Sequence, residues 1–225
     1  MISTDSTDST DSTDSTNGTT QSTRHGTRAH CPVCLRPAQT CICRWITALP
    51  NQVEVLILQH PMEVSNAKGS ARLLHLSLSN SRLECGEAFA PDRLRELLSP
   101  NRRNVLLYPE TADDKSLGLA TPQPLDQAWL GEHERLRLVV LDGTWRKSRK
   151  MLYLNPPLQA LPRLPLRDTP PSHYLIRKAH LPDQLSTLEA TVYALAQLEN
   201  DAHKFHPLID AFDGFVAQQA SYVRA

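Results

Sequence analysis

The run LRLVVLD at residues 136–142 restricts the fold of this 225-residue chain more than any other feature. It is almost continuously apolar and ends on Asp-Gly. A strand that reads this way is buried on both faces, as in a parallel sheet, whereas a strand with one wet face alternates. Parallel strands need crossover connections, so helices should lie between this strand and its neighbours. The flanking sequence supplies them. VEVLIL at 53–58 reads as a strand, residues 66–79 as a helix with Ala67, Ala71, Leu74 and Leu78 on one face, and 92–99 as a short helix. NVLLYP at 104–109 reads as another strand, 144–154 as a helix, 156–171 as a proline-rich loop, and HYLIR at 173–177 as a further strand. Residues 186–200 read as a helix opened by a Ser186/Glu189 capping box, and 207–222 as a last helix. The fold class is therefore α/β with a parallel sheet. In such sheets ligands bind beyond the carboxyl ends of the strands. That rule points at residues 59–61, 108–110 and 142–145.

Residues 3–16 repeat Ser-Thr-Asp, and no large apolar side chain is present to offset the ordering entropy. Residues 1–29 are expected to be a disordered low-complexity tail. The formal net charge is zero, from 24 basic and 24 acidic residues. Four of the acids (Asp5, Asp8, Asp11, Asp14) lie in the tail with only Arg24 and Arg28, which leaves the rest near +2. Global charge neither demands nor forbids a polyanionic partner, so local clustering decides. No apolar run reaches the roughly 18 residues of a membrane span, and the N-terminus lacks the pattern of a signal peptide. A cytoplasmic location without membrane attachment is the expectation.

Four of the five cysteines fall at Cys31, Cys34, Cys41 and Cys43. Four thiolates in so short a segment can close tetrahedrally on one Zn²⁺. Disulfides are the alternative, disfavoured in a reducing compartment; an iron–sulfur cluster usually has other spacing. His25 and His30 are possible substitute ligands. A four-ligand site leaves no open position, so the expectation is a structural zinc knuckle at 30–50. Arg28, Arg36 and Arg44 surround it and would suit phosphate contacts or a solvated rim. Cys85 stands alone and reads as a small buried residue.

The segment VVLDGTWRKSRKM at 139–151 carries the densest chemistry. The strand delivers Asp142 to its end, Gly143 permits a sharp turn or a close approach, and Thr144 can cap the next helix. Trp145 stands where an aromatic could stack on a flat ring. Arg146, Lys147, Arg149 and Lys150 follow at once, against the preference of a helix N-terminus for anions. A polyanion would use that charge. The plainer reading makes Asp142 a cap, Trp145 core and the basic residues a wet face.

DGTW at 142–145 resembles the D-x-T-W signature of the DTW-domain family. The four-cysteine cluster, HPME at 60–63, YPE at 108–110, RKSRKM at 146–151 and STLEA at 186–190 resemble that family's motifs in the same order, so the likeness spans roughly residues 30–220. The resemblance implies a SPOUT-like, knotted α/β domain at 51–225, with S-adenosylmethionine held in its C-terminal loops. It also implies tRNA-uridine aminocarboxypropyl transfer, in which uridine N3 attacks the γ-carbon and 5′-methylthioadenosine leaves. On that reading Asp142 is the proton acceptor or an orienting acceptor, Thr144 hydrogen-bonds the cofactor or base, and Trp145 stacks on a ring. Tyr108, Pro109, Glu110, Leu141 and Gly143 line the cofactor site. Ser186, Thr187 and Glu189 either cap their helix only or also receive the cofactor's carboxylate at its N-terminus. The tRNA would meet Arg146, Lys147, Arg149, Lys150 and Arg177, with Arg163, Arg167 and Lys178 nearby; His60 is a weaker candidate for the site. Two alternatives remain: a SPOUT-like RNA methyltransferase, and a non-catalytic zinc-ribbon RNA-binding protein.

Overall fold

The computed structural model describes residues 29–109, 121–166, 169–172 and 185–223. Five parallel strands form one sheet in the order β2-β1-β4-β3-β5. They are β1 (Glu54–Gln59), β2 (Ser81–Cys85), β3 (Arg103–Leu107), β4 (Leu136–Asp142) and β5 (Arg163–Leu164). β4 lies at the centre with every residue buried, as its apolar run requires. Arg137 is the exception in kind. It is buried among apolar neighbours because its partner across the register, Glu54, reaches it at 3.0 Å, and Arg102 adds a contact to the same carboxylate at 3.1 Å. A buried ion pair of this sort is tolerated only when both members are present.

Helices cover both faces. On one side α1 (Ala71–Ser77), α5 (Thr187–Leu198) and α6 (His206–Val223) pack on Val55, Ile57, Val105, Leu138 and Val140. On the other, α2 (Pro91–Leu97), α3 (Trp145–Leu154) and α4 (Pro156–Gln159) pack on Leu56, Leu58, Leu106, Val139 and Leu141. The alternation of side chains along each strand sends successive residues to opposite layers.

Three local expectations need correction, and one strand, β2, has no counterpart in the sequence reading. The helix expected at 66–79 begins only at Ala71, because Asn66 and Gly69 close turns: Asn66 Oδ1 accepts from the Lys68 N–H and the Gly69 N–H donates to the Asn66 carbonyl. The region 156–171 is not all loop. Pro156 stands at the start of α4, where its missing N–H costs nothing, and Arg163–Leu164 join the sheet beside Leu106–Leu107. β2 is an edge strand with a single large apolar residue, Leu83, so its pattern gives little signal. Cys85 at its end is exposed rather than buried. The strand expected at 173–177 and the tail through residue 28 lie outside the described residues. No helix among the described residues is long and apolar enough to cross a membrane.

The cysteine segment shares the main core. Cys34 and Ile42 are buried in the same cluster as α5 and α6. Trp45 lies against Gly214 of α6, where any Cβ would collide with the indole ring. Trp45 Nε1 donates to the Gln218 side chain, whose amide in turn donates to the Cys41 carbonyl. Arg36 donates to the carbonyls of Ala67 and Gly69 at 2.6 and 2.8 Å, so this basic residue is a structural tie and not a free phosphate contact.

Candidate active site

A cleft of about 810 Å³ opens at the carboxyl ends of β3, β4 and β5. That volume lies within the usual range of small-molecule sites, on the order of 300–1,000 Å³. Tyr108, Pro109, Leu141, Gly143, Thr144, Trp145, Arg146, Ser186 and Thr187, all singled out in the sequence, line it. Residues from 108 to 187 thus converge because parallel strands deliver their following loops to one edge of the sheet.

Asp142 stands between the lining residues Leu141 and Gly143 but does not itself line the cleft. It is buried, and its carboxylate accepts from Gln59 Nε2 at 2.8 Å and from Thr187 Oγ1 at 2.7 Å. Gln59 faces Asp142 across the β1–β4 register, and the His60 N–H donates to the Asp142 carbonyl at 2.9 Å. Both carboxylate oxygens therefore hold protein donors, an arrangement that fixes the group's direction. Gly143 does not adopt a left-handed conformation. Its lack of a side chain admits the first turn of α3, since a Cβ there would come within 3.1 Å of the Lys147 Cβ. Thr144 caps α3, its hydroxyl accepting from the Lys147 N–H at 3.4 Å.

Trp145 is 46% exposed, and one face of its indole is backed by Tyr108, with ring centroids 5.1 Å apart and planes 15° from parallel. The Arg163 guanidinium also lies over the Tyr108 ring, 5.1 Å from its centroid, its Nη1 donating to the Pro109 carbonyl at 3.2 Å. Arg163 is buried, so it supports this stack and is not a surface contact for a polyanion. Trp145 and Arg163 thus both pack on the Tyr108 ring, and Tyr108 and Trp145 line the cleft.

The start of α5 forms the opposite wall. The capping box is present, with Ser186 Oγ accepting from the Glu189 N–H at 3.2 Å and the Glu189 carboxylate accepting from the Ser186 N–H at 2.7 Å. Ser172 Oγ also donates to Glu189, which is fully buried and does not line the cleft. The Leu188 N–H donates to Ser70 Oγ. Fewer first-turn amides are thus available to a ligand than the helix end alone implies. Thr187 places its side chain on Asp142 and lines the cleft.

Of the basic residues after Trp145, Lys147 pairs with Glu63 at 2.7 Å and Lys150 with Glu87 at 2.9 Å. Glu87 also accepts from His60 Nε2 at 2.8 Å, and these two partners, Lys150 first, hold its carboxyl below the ordinary carboxylate value. His60 Nδ1 accepts from the Met62 N–H, so His60 acts as a local cap and brace. Arg146 lines the cleft. Glu110, Arg167, Arg177 and Lys178 lie outside the described residues. Sequence reasoning missed Gln59 as the partner of Asp142. Its place at a strand end was the available signal, but the cross-strand register was not.

The four sulfurs of Cys31, Cys34, Cys41 and Cys43 lie within 4.8 Å of one another, with Sγ separations of 3.5 Å for Cys31–Cys43 and 3.7 Å for Cys34–Cys41. Zinc–sulfur bonds of about 2.3 Å imply tetrahedral S···S edges of about 3.8 Å, so the donor set fits a zinc ion. Backbone N–H groups of Cys34 and Val33 bring the Cys31 thiol down to about 6, whereas burial lifts Cys43 to about 12. This cluster lies among the helices that cover one face of the sheet and contributes no residue to the cleft.

The family model described as the DTW domain matches residues 28–220. A protein of Macaca fascicularis named tRNA-uridine aminocarboxypropyltransferase 2 is 26% identical over 208 residues, covering 88% of this chain and 66% of its own length. Its namesake in Mus musculus is 27% identical over 180 residues, covering 77% and 58%. That of Drosophila melanogaster is 30% identical over 186 residues, covering 77% and 68%. The chain spans about two thirds, or less, of the length of the first two relatives. No solved structure matches. With its family match running from before the cysteine cluster into α6, the chain belongs to the DTW-domain family.

Proposed function

We propose that this chain transfers the 3-amino-3-carboxypropyl group of S-adenosylmethionine to N3 of a uridine in tRNA. The observation that carries this reading is the gathering of Thr144, Trp145, Tyr108 and Thr187 around one cleft, with Asp142 hydrogen-bonded to Thr187, in a family whose relatives bear the name of that activity. The sulfonium supplies an already activated carbon, so that N3–C bond formation and C–S bond cleavage release 5′-methylthioadenosine without a catalytic metal. The zinc, held by four cysteines, keeps the knuckle folded and takes no part in the transfer.

The residues have separable tasks. Trp145, braced by Tyr108 and Arg163, offers a flat apolar face to adenine or uracil. Arg146 and the N-terminal end of α5 provide positive potential for the donor's carboxylate. Asp142, held by Gln59 and Thr187, accepts the N3 proton or orients the groups around it. Holding base, carbon and sulfur in line supplies the rest of the acceleration. A SPOUT-like, knotted topology for residues 51–225 goes with this reading, supported by the all-parallel sheet and by a cleft built at its carboxyl edge. The knuckle at 30–50 is then a structural appendage, and the cytoplasm, where thiols stay reduced, is the matching compartment.

The by-product tests the reading. Incubation with S-adenosylmethionine and unmodified tRNA should yield 5′-methylthioadenosine. Formation of S-adenosylhomocysteine instead would make the protein a methyltransferase. Neither product would favour an RNA-binding protein without catalysis.

A further inference from the structure

The geometry points to the outer face of α3 as a track for single-stranded RNA, with Tyr153 as a stacking platform for a nucleobase outside the cleft. This rests on the RNA reading above and adds a residue and a direction to it.

The helix WRKSRKMLYL carries no acidic residue. Ser148, Met151 and Leu152 are buried and mark its inner face. At about 100° per residue the opposite half-turn gathers Arg149, Tyr153, Arg146, Lys150 and Leu154, with Trp145 at its border beside Leu152. Along this side of the helix Trp145 is 46% exposed, Tyr153 61% and Leu154 38%. Trp145, Arg149 and Tyr153 stand at i, i+4 and i+8, so aromatic, guanidinium and aromatic groups follow one another along a single row. Among the described residues neither Arg146 nor Arg149 has an ion-pair partner, whereas Lys147 and Lys150 are held by Glu63 and Glu87. The four basic residues thus divide: the two lysines are paired with carboxylates, and among the described residues the two arginines are not.

Alternating aromatic and cationic groups are what an unpaired strand requires. Bases stack on the rings, and phosphates meet the guanidinium groups. The row is continuous with the cleft, since Trp145 and Arg146 line it. With a rise of about 1.5 Å per residue, Tyr153 stands roughly 12 Å along the axis from Trp145. That distance corresponds to some three or four stacked nucleotides at about 3.4 Å each, and to fewer in an extended strand. A uridine inserted beside Trp145 would therefore have a neighbour within reach of Tyr153.

The test is the affinity of the full-length protein for labelled, unmodified tRNA, measured by fluorescence anisotropy across a salt series. Melting curves first establish that the variants fold. Tyr153→Ala should weaken binding roughly tenfold with an unchanged salt slope, because a stacking contact and no charge is removed. Tyr153→Phe should keep affinity within about twofold of the parent. Arg149→Gln should reduce the salt slope by about one. Undiminished tRNA affinity in Tyr153→Ala overturns the inference and leaves the row to a protein partner. Binding does not depend on turnover, so the two readings fail separately. A protein without transfer activity that still needs Tyr153 for tRNA refutes only the proposed reaction. An active protein indifferent to Tyr153 refutes only the track.

Discussion

Thr187 Oγ1 donates to Asp142 Oδ1 at 2.7 Å, which ties the first residue of α5 to the last residue of β4. The two lie 45 positions apart in the chain. Gln59 completes the clamp from β1. The carboxylate at the centre of the family signature is thus directed by residues outside it, and its orientation depends on the sheet register on one side and on helix docking on the other.

Removing either donor should affect turnover more than folding. A hydrogen bond to a charged group contributes about 1.5–3 kcal/mol. Thr187→Val and Gln59→Leu should each lower kcat/KM on the order of ten- to a hundredfold. Steady-state kinetics with tRNA and S-adenosylmethionine checks this. Wild-type kinetics in both variants would show that the clamp does not matter to the reaction.

The knuckle should carry a single zinc ion per chain and depend on α6 for its seat. Cys41→Ser should lose the metal, as elemental analysis would show, and should lower the melting temperature. Gly214→Ala forces a methyl into the space of the Trp45 ring and should destabilise the protein by about 1–3 kcal/mol, readable from denaturant unfolding. An unaltered Gly214→Ala midpoint would mean that Trp45 does not hold the knuckle in solution.

Stability should fall as pH drops below about 6.5. Burial, aided by the nearby Arg72 charge, holds His75 below its ordinary value of 6.5. Below that value the unfolded chain takes up the proton and the folded chain resists, so acid favours unfolding until the folded group itself titrates. Above it both states are neutral and the group contributes no pH dependence. Glu87, also lowered, adds a loss in the same direction at more acid pH. Replacing His75 by Gln should flatten the melting-temperature profile near pH 6; an unchanged slope would contradict this origin.

The centre of the fold was legible because its signals are local. Continuous apolarity marked β4, and the Ser186/Glu189 pair marked the start of α5. The strand-end rule reached Tyr108, Pro109, Gly143, Thr144 and Trp145, which line the cleft, whereas residues 59–61 do not. What escaped depends on partners distant in sequence. Arg163 reads as a surface cation until Tyr108 and Pro109 cover it. Lys147 and Lys150 read as phosphate contacts until Glu63 and Glu87 claim them. Gln59 becomes a site residue only through its register with Asp142. β5 is two residues long and owes its existence to the open edge of β3.

The most direct test of the proposed reaction is mass spectrometry of nucleosides from tRNA treated with the purified protein and S-adenosylmethionine, beside an Asp142→Ala variant. The account predicts a uridine heavier by one 3-amino-3-carboxypropyl group, with little or none from the variant. A methylated nucleoside, or no modified nucleoside on any tRNA, would contradict it.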